Sequence, residues 1–530
     1  MHGKTVLVLA LIVLSGCTRC AGEQKVAVTA PAVFAEGKKE VSLLFVGDLS
    51  VARGIADTID KKGGGDPAYP FALIRELLHG HDLTFGNLEC VLSDSSAEEA
   101  VSKTYRIRAD TKYAAALKES GLDVVSVANN HAMDFGAQGF NSTLDTTRKL
   151  GLIPVGMRVQ EHNAQAPVIV LVGELKVGFL AYNQHGDEYK HPQWRPSAAL
   201  YDMKQMLNDI KKARPQVDVL VVSVHGGPEL SHQEAQWQHD DSRTVIDAGA
   251  DLWIGHHPHV AQPFLEYKHG LIAYSLGDFL FDKSSPWLVH KNRPRLFLAV
   301  KFAKVDGVVR RLSYDFIGGD QDRDFRSFVD RDFTKTESFR EAPEPREKTF
   351  LDLLPQAKVE RVRADVVTAC DRWEQRRQML PAHRFRWLAP RWGCGLKDTE
   401  DKRAWETVAA TAEVFEGSLR RGIWAHPHAG GPLRFTFPNV LLGTELKGFA
   451  GVPDWGLIMA KKQTFAPVRV SVRIGEQKKA TVIDVPYAAP LTELVFDTTK
   501  LAGQTKDVVV EIEGGSGDAE GRFVFDLAAK

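Results

Sequence analysis

From residue 41 onward the chain repeats one texture: a short apolar, β-branched run, a polar loop, then a stretch with helical spacing. The runs at 41–46, 82–85, 124–127, 168–172, 177–182, 217–224, 251–254 and 271–274 predict strands. Between them, 111–120, 139–150, 199–213 and 233–248 carry the 3.6-residue period of helices. That alternation argues for an α/β domain with covered sheets, closed by a strand pair at 295–302 and 308–316. A charged, turn-rich stretch at 320–345 reads as a boundary, and 348–378 and 400–415 read as helices around an irregular, aromatic-rich segment. Then the texture changes. Runs at 433–437, 468–474, 481–485, 493–496, 507–513 and 522–526, separated by Gly, Pro and Asp turns, predict an antiparallel β-sandwich. The expected organisation is a leader at 1–17, a linker at 18–40, an α/β domain at 41–320, a charged helical connector at 321–403 and a β-sandwich at 404–530.

Composition narrows the function classes. With 530 residues the chain has room for several cores, and 67 Lys+Arg against 68 Asp+Glu give a net charge of −1, so no whole-molecule field draws it to nucleic acid. Residues 361–403 hold eleven Lys/Arg against six Asp/Glu, with Trp373, Trp387 and Trp392 interleaved; this reads as a solvated face packed by Trp rather than a polyanion site. Five Cys, at 17, 20, 90, 370 and 394, are too few for a disulfide scaffold. Cys90 reads as a small buried thiol.

The first 17 residues carry a positive start, an apolar run at 5–14 and then Leu14-Ser15-Gly16-Cys17. This pattern is a secretory signal and resembles a bacterial lipobox, which implies an exported protein anchored to the membrane through a lipidated Cys17. Residues 18–40 read as a tether, and no other stretch has the length of a membrane span.

Chemistry concentrates at strand ends. Seven of the 18 His lie between His225 and His269, where an even spread would place about one and a half. His257 and His259 follow the run at 251–254, and His225 follows 217–224. Three earlier runs end in Gly47-Asp48, in Gly86-Asn87-Leu88-Glu89 and in Asn129-Asn130-His131 through Asp134. Ligands in α/β folds sit at such carboxyl ends. Asp, Glu, Asn and His without Cys suit a hard-to-borderline divalent metal, and two cations need a bridging carboxylate, for which Glu89 and Asp48 are the candidates. His131 is then placed to protonate a leaving group or steady the transition-state charge, and Asp134, a candidate ligand, reads rather as orienting His131 or capping the next helix. His256 is left out, since adjacent side chains in an extended segment point apart; His232, His239 and His269 read as surface residues.

These residues resemble the CapA/PgsA family of bacterial capsule-synthesis proteins associated with poly-γ-glutamate, related to the calcineurin-like metallophosphoesterases. The resemblance runs over about residues 41–317 and rests on Gly47-Asp48 with Arg53, Gly86-Asn87-Leu88-Glu89, Ala128-Asn129-Asn130-His131 through Asp134 and Gly136, His225-Gly226 with Glu229, Gly249-Ala250-Asp251, His257-Pro258-His259 and Tyr274-Ser275-Leu276-Gly277. It implies a four-layer α/β/β/α metallophosphoesterase-like sandwich, followed here by the all-β, jelly-roll-like sandwich. It also implies one metal on Asp48 and His259, a second on Asn130, His225 and His257, Glu89 bridging, and His131, Asp134 and Arg53 as catalytic residues. The metals implied are Mn, Fe or Zn. The chain departs from the pattern at Ser50, where metallophosphoesterases carry His, at Gly226-Gly227 in place of Trp-Gly, and at Asp278 in place of Asn, which could add a carboxylate to the site but reads first as a turn cap. Trp424, Trp455 and His426-Pro427-His428 loosely resemble features of carbohydrate-binding jelly rolls, with core Trp as the plainer reading. Two roles fit the first domain: a metal-dependent hydrolase of an anionic envelope polymer, or a non-catalytic accessory that guides capsular polymer. A third is glycan recognition by the C-terminal sandwich.

Overall fold

The computed structural model describes residues 32–530 except 96–99, 104, 159–164, 166, 186–195, 283–294, 323, 331–335, 342–347, 363–366, 370–392, 396–406, 416–417, 426–430, 454–466, 487–490 and 515–522. The leader, most of the tether, Trp373, Trp387, Trp455, His426 and His428 lie outside the described residues, as does the side chain of Cys394.

Two mixed sheets pack face to face in the first part of the chain. One runs in the order Val33–Phe34, Val168–Val172, Leu175–Asn183, Val219–His225, Leu252–His256, Gly270–Ala273, Phe264–Tyr267. The other runs Ser327–Val329, Val308–Gln321, Arg295–Val305, Glu40–Leu49, Leu83–Leu88, Val124–Ser126, Ile153–Val155, with Asp278–Leu280 paired to Glu40–Leu49. Side chains alternate across each strand, and both faces are apolar. Leu43, Phe45 and Phe85 point inward against Val177, Phe179, Val221 and Ile254, and the Phe85 and Phe179 rings stack at 5.5 Å. Leu44 and Val46 point outward against Ile55, Ile59, Leu78 and Leu117. On the far side Leu220 and Val222 meet Met206, Ile210, Val245 and Ile246 of the helices Met203–Ala213 and Gln236–Asp247. The result is the covered α/β domain that the apolar runs called for, in the α/β/β/α layering that the family resemblance implied.

The second part is an all-β sandwich of two six-stranded antiparallel sheets. Its core joins Phe435, Val470 and Val510 of one sheet to Ile423, Leu446 and Phe525 of the other. Here three expectations are corrected. Residues 407–415, read as helix, form the strand Thr407–Phe415, because pairing along Ser418–Ala425 outweighs the helix propensity of its Ala and Glu. Among the described residues of the helix read at 348–378, only Phe350–Leu353 is α-helical, and Lys358–Val362 pairs with Leu433–Leu441. Strands Lys358–Val362, Val367–Ala369 and Gly393–Gly395, placed by the sequence reading in a helical connector, are members of the two sheets. Trp424, for which a core position was the plainer reading, is indeed buried, with Phe415 and Val524. In the tether, Val33–Phe34 pairs with Val168–Val172.

Candidate metal centre

The carboxyl ends of the parallel strands of both sheets converge on one buried cluster. Asp48 closes Glu40–Leu49, Glu89 follows Leu83–Leu88, Asn130 and His131 follow Val124–Ser126, His225 ends Val219–His225, and His257 and His259 follow Leu252–His256. Two glycines let the backbones close in. A Cβ on Gly47 would lie 1.8 Å from the Gly277 carbonyl oxygen, and one on Gly255 would lie 1.8 Å from that of Tyr274. His257 and His259 both adopt positive φ, 95° and 59°, a region that costs a non-glycine residue of order 1–3 kcal/mol.

The donor atoms fall into two groups, Glu89 with His225 and His257, and Asp48 with Glu89 and His259, each with its atoms within 4.8 Å of one another. Glu89 belongs to both. It is completely buried, and among the described residues neither of its oxygens has a hydrogen-bond partner. Its Oε1 instead lies 3.7 Å from His225 Nε2, 3.8 Å from His259 Nε2 and 4.0 Å from His131 Nε2. Burial drives the Glu89 carboxyl well above the usual range, although His259 opposes the shift. A buried carboxylate with no donor is costly, and a bridging cation would meet that demand. His225 Nε2 lies 3.1 Å from both His257 Nδ1 and Asn130 Oδ1. Ligands held at 2.0–2.1 Å from one ion are about 3.0–3.4 Å apart, so His225 has the spacing of a co-ligand with each of the other two.

The surrounding groups fix tautomers and charge. Asp278 Oδ1 is 2.8 Å from His259 Nδ1, which leaves His259 Nε2 facing Glu89, the carboxylate–histidine arrangement of metal sites. The turn-cap reading of Asp278 is therefore corrected: its carboxylate joins the cluster. Burial disfavours charge on His259, but Glu89, Asp278 and Asp48 outweigh it and raise its pKa to about 10. Burial, aided by neighbouring histidines, holds His225 and His257 well below the ordinary imidazole value, so both offer lone pairs at neutral pH. Asp48 accepts from Asn87 Nδ2 at 2.8 Å and from the His257 backbone N–H at 3.0 Å.

His131 turns Nε2 towards Glu89, while its Nδ1 lies 2.6 Å from Asp134 Oδ2. Burial lowers its pKa, against the pull of Asp134. Asp134 in turn accepts from Lys103 Nζ at 2.9 Å and from the Ile107 N–H at 2.7 Å; burial works to raise its pKa, but these partners and His131 hold it below the usual value.

Of the nine residues picked out by sequence, eight stand in or against this cluster. Arg53 does not join it among the described contacts: it is exposed, and its guanidinium donates to the Arg106 carbonyl at 2.8 Å. His256, left out by the sequence reading, lies under the cluster with Nδ1 3.3 Å from Asp48. His232, read as a surface residue, is buried, its Nδ1 2.9 Å from the Ala261 carbonyl. Cys90 is a buried thiol whose pKa burial raises to about 11. Sequence reasoning missed Lys103 and His185, the latter with its ring 4.1 Å from that of His257; both sit in loops with no periodic signal.

Residues 42–283 match the family model of the bacterial capsule synthesis protein PGA_cap. This region is a PGA_cap domain. The capsule biosynthesis protein CapA of Bacillus anthracis is 29% identical over 270 residues, 49% of this chain and 64% of the relative. The PGA biosynthesis protein CapA of Bacillus subtilis is 29% identical over 245 residues, 46% of this chain and 64% of the relative. The chain thus spans less than two thirds of the length of either, and both alignments take in about half of it. A calcineurin-like phosphoesterase of Bacillus subtilis aligns with 53% of this chain and 90% of its own, at 14% identity and a TM-score of 0.32. The candidate metal ligands all fall inside the PGA_cap domain.

Proposed function

We propose that the PGA_cap domain is a metal-dependent hydrolase of capsule biosynthesis, acting on an anionic envelope polymer such as poly-γ-glutamate at a phosphoester or γ-glutamyl amide bond. The observation that carries this reading is Glu89, buried, without a hydrogen-bond donor among the described residues and shared by both donor groups. The names of the two CapA relatives support the polymer class. Divalent ions at such a site, with Mn, Fe or Zn suited to nitrogen and oxygen donors, supply an acidified water and a positive field. Asp48 and His259 would hold one ion, Asn130, His225 and His257 the other, with Glu89 between. His131, its Nδ1 held by Asp134, hands a proton from Nε2 to the leaving group. The lipobox-like Leu14–Cys17 segment supports export and anchoring of this activity at the cell envelope.

A second reading is a non-catalytic accessory that holds and guides the polymer. It is favoured by Ser50, which replaces a metallophosphoesterase His and whose Oγ accepts from the Ala52 N–H at 3.2 Å. One variant separates the two. His131→Gln should keep its metal and lose turnover on poly-γ-glutamate or a phosphoester by about 10²–10⁴-fold; a wild-type protein that retains polymer but never cleaves it supports guidance.

A further inference from the structure

A largely buried ion pair ties the β-sandwich to the segment that follows His225. Arg421, on the strand Ser418–Ala425, places Nη2 3.4 Å and 3.5 Å from the two oxygens of Glu234. The Glu234 side chain is 0% exposed and that of Arg421 19%, so this pair is shielded from solvent screening. Glu234 lies in the segment 226–235 that leads from His225 to the helix Gln236–Asp247. That segment is fastened along its length to the loop carrying the other histidines. The Leu230 N–H donates to the Pro258 carbonyl at 2.8 Å, and Gln262 Nε2 donates to the carbonyls of Ser231 and Gln233. Leu230 itself is held at a φ of 55°. The same segment carries Glu229, whose Oε1 is 3.8 Å from His257 Nε2.

His257 turns Nδ1 to His225 and Nε2 to Glu229. A carboxylate beside the outer nitrogen of a ligating imidazole keeps the proton there and leaves the inner nitrogen free for the ion. We propose that Arg421 is a positioning residue for the metal centre: by holding Glu234 it fixes segment 226–235, so that Glu229 keeps His257 presenting Nδ1 beside His225. The sandwich is thereby a structural part of the metal site. A second tie supports the same coupling, since the Leu419 N–H donates to Ser338 Oγ at 2.9 Å, and Leu419 packs into the core of the first domain.

This inference rests on the metal-site reading, and the test keeps the two apart. Zn²⁺ and Mn²⁺ affinities of the full chain are measured by chelator competition for wild type, Arg421→Met/Glu234→Gln, Arg421→Lys, Glu229→Gln and the combination of all three neutralising changes. Removing both charges together avoids leaving the buried Glu234 carboxylate without the guanidinium it faces. The double variant and Glu229→Gln should each weaken binding about tenfold, the combination should weaken it no further, and Arg421→Lys should restore most of the loss. A folded double variant with wild-type affinity overturns the inference, as do additive losses. If the double variant does not fold, Glu229→Gln, on a side chain that is 43% exposed, decides: wild-type affinity there overturns the proposal. A wild-type chain that binds neither ion overturns the metal-site reading itself.

Discussion

The sheets of residues 33–329 and those of residues 358–529 both close over apolar cores, yet they treat buried polar groups differently. The first region buries Asp48, Glu89, His131, Asp134, His225, His256, His257, His259 and Asp278 at one edge. Among the described residues of the second, Thr498 and Asp526 are the buried polar side chains. Asp526 is met from within, accepting from the Leu351 and Leu527 N–H groups at 2.9 and 3.0 Å. Among the described residues, Glu89 has no such donors. Two sandwiches of similar packing therefore differ in purpose at the level of hydrogen-bond accounting: one satisfies its buried carboxylate with backbone, the other aims a carboxylate and three imidazoles at a common point.

The largest test of that contrast is steric. Gly47→Ala sets a methyl group 1.8 Å from a backbone oxygen, where no flexible side chain can yield, so the strands bearing Asp48 and Asp278 must part. Stability should fall by about 3 kcal/mol in urea unfolding, with loss of metal; a variant of unchanged stability would break the account of how Asp48 is placed.

The second test addresses Asp526, whose pKa burial raises from 3.8 to about 7. Between those values the folded protein binds the proton more than the unfolded chain does, so stability is greatest at the acid end and falls as pH rises through the window. The slope is about 1.4 kcal/mol per pH unit, or roughly 2–3 kcal/mol from pH 5 to 7. Asp526→Asn keeps the acceptor and removes the charge, so its thermal midpoint should gain on wild type as pH rises; a pH-independent difference would contradict this.

The smallest expected effect is at the metal centre's rim. Asp278→Asn keeps a hydrogen-bond acceptor for His259 Nδ1 and removes the charge, so metal affinity should drop about tenfold in chelator competition. Unchanged affinity would return Asp278 to a turn-capping role.

The sequence made the layered first domain legible because its strands are apolar on both faces and short, with helical spacing between them. The donor residues were legible for a related reason: each follows an apolar run, so topology alone carries them to one edge. Residues 407–415 were misread because Ala and Glu favour a helix locally, while pairing with Ser418–Ala425 is a long-range fact. Lys103 and His185 left no trace because they reach the cluster from loops, and Asp278 was undervalued because its partner, His259, is turned by a positive φ that no residue pattern announces.

The most direct measurement is elemental analysis of residues 24–530, purified without chelator, beside His257→Ala and Glu89→Ala. The account predicts about two equivalents of Mn, Fe or Zn per chain, falling in both variants and further with Glu89→Ala, because Glu89 alone serves both donor groups. A folded wild-type protein that holds no metal, even after incubation with excess Mn²⁺ or Zn²⁺, would contradict it.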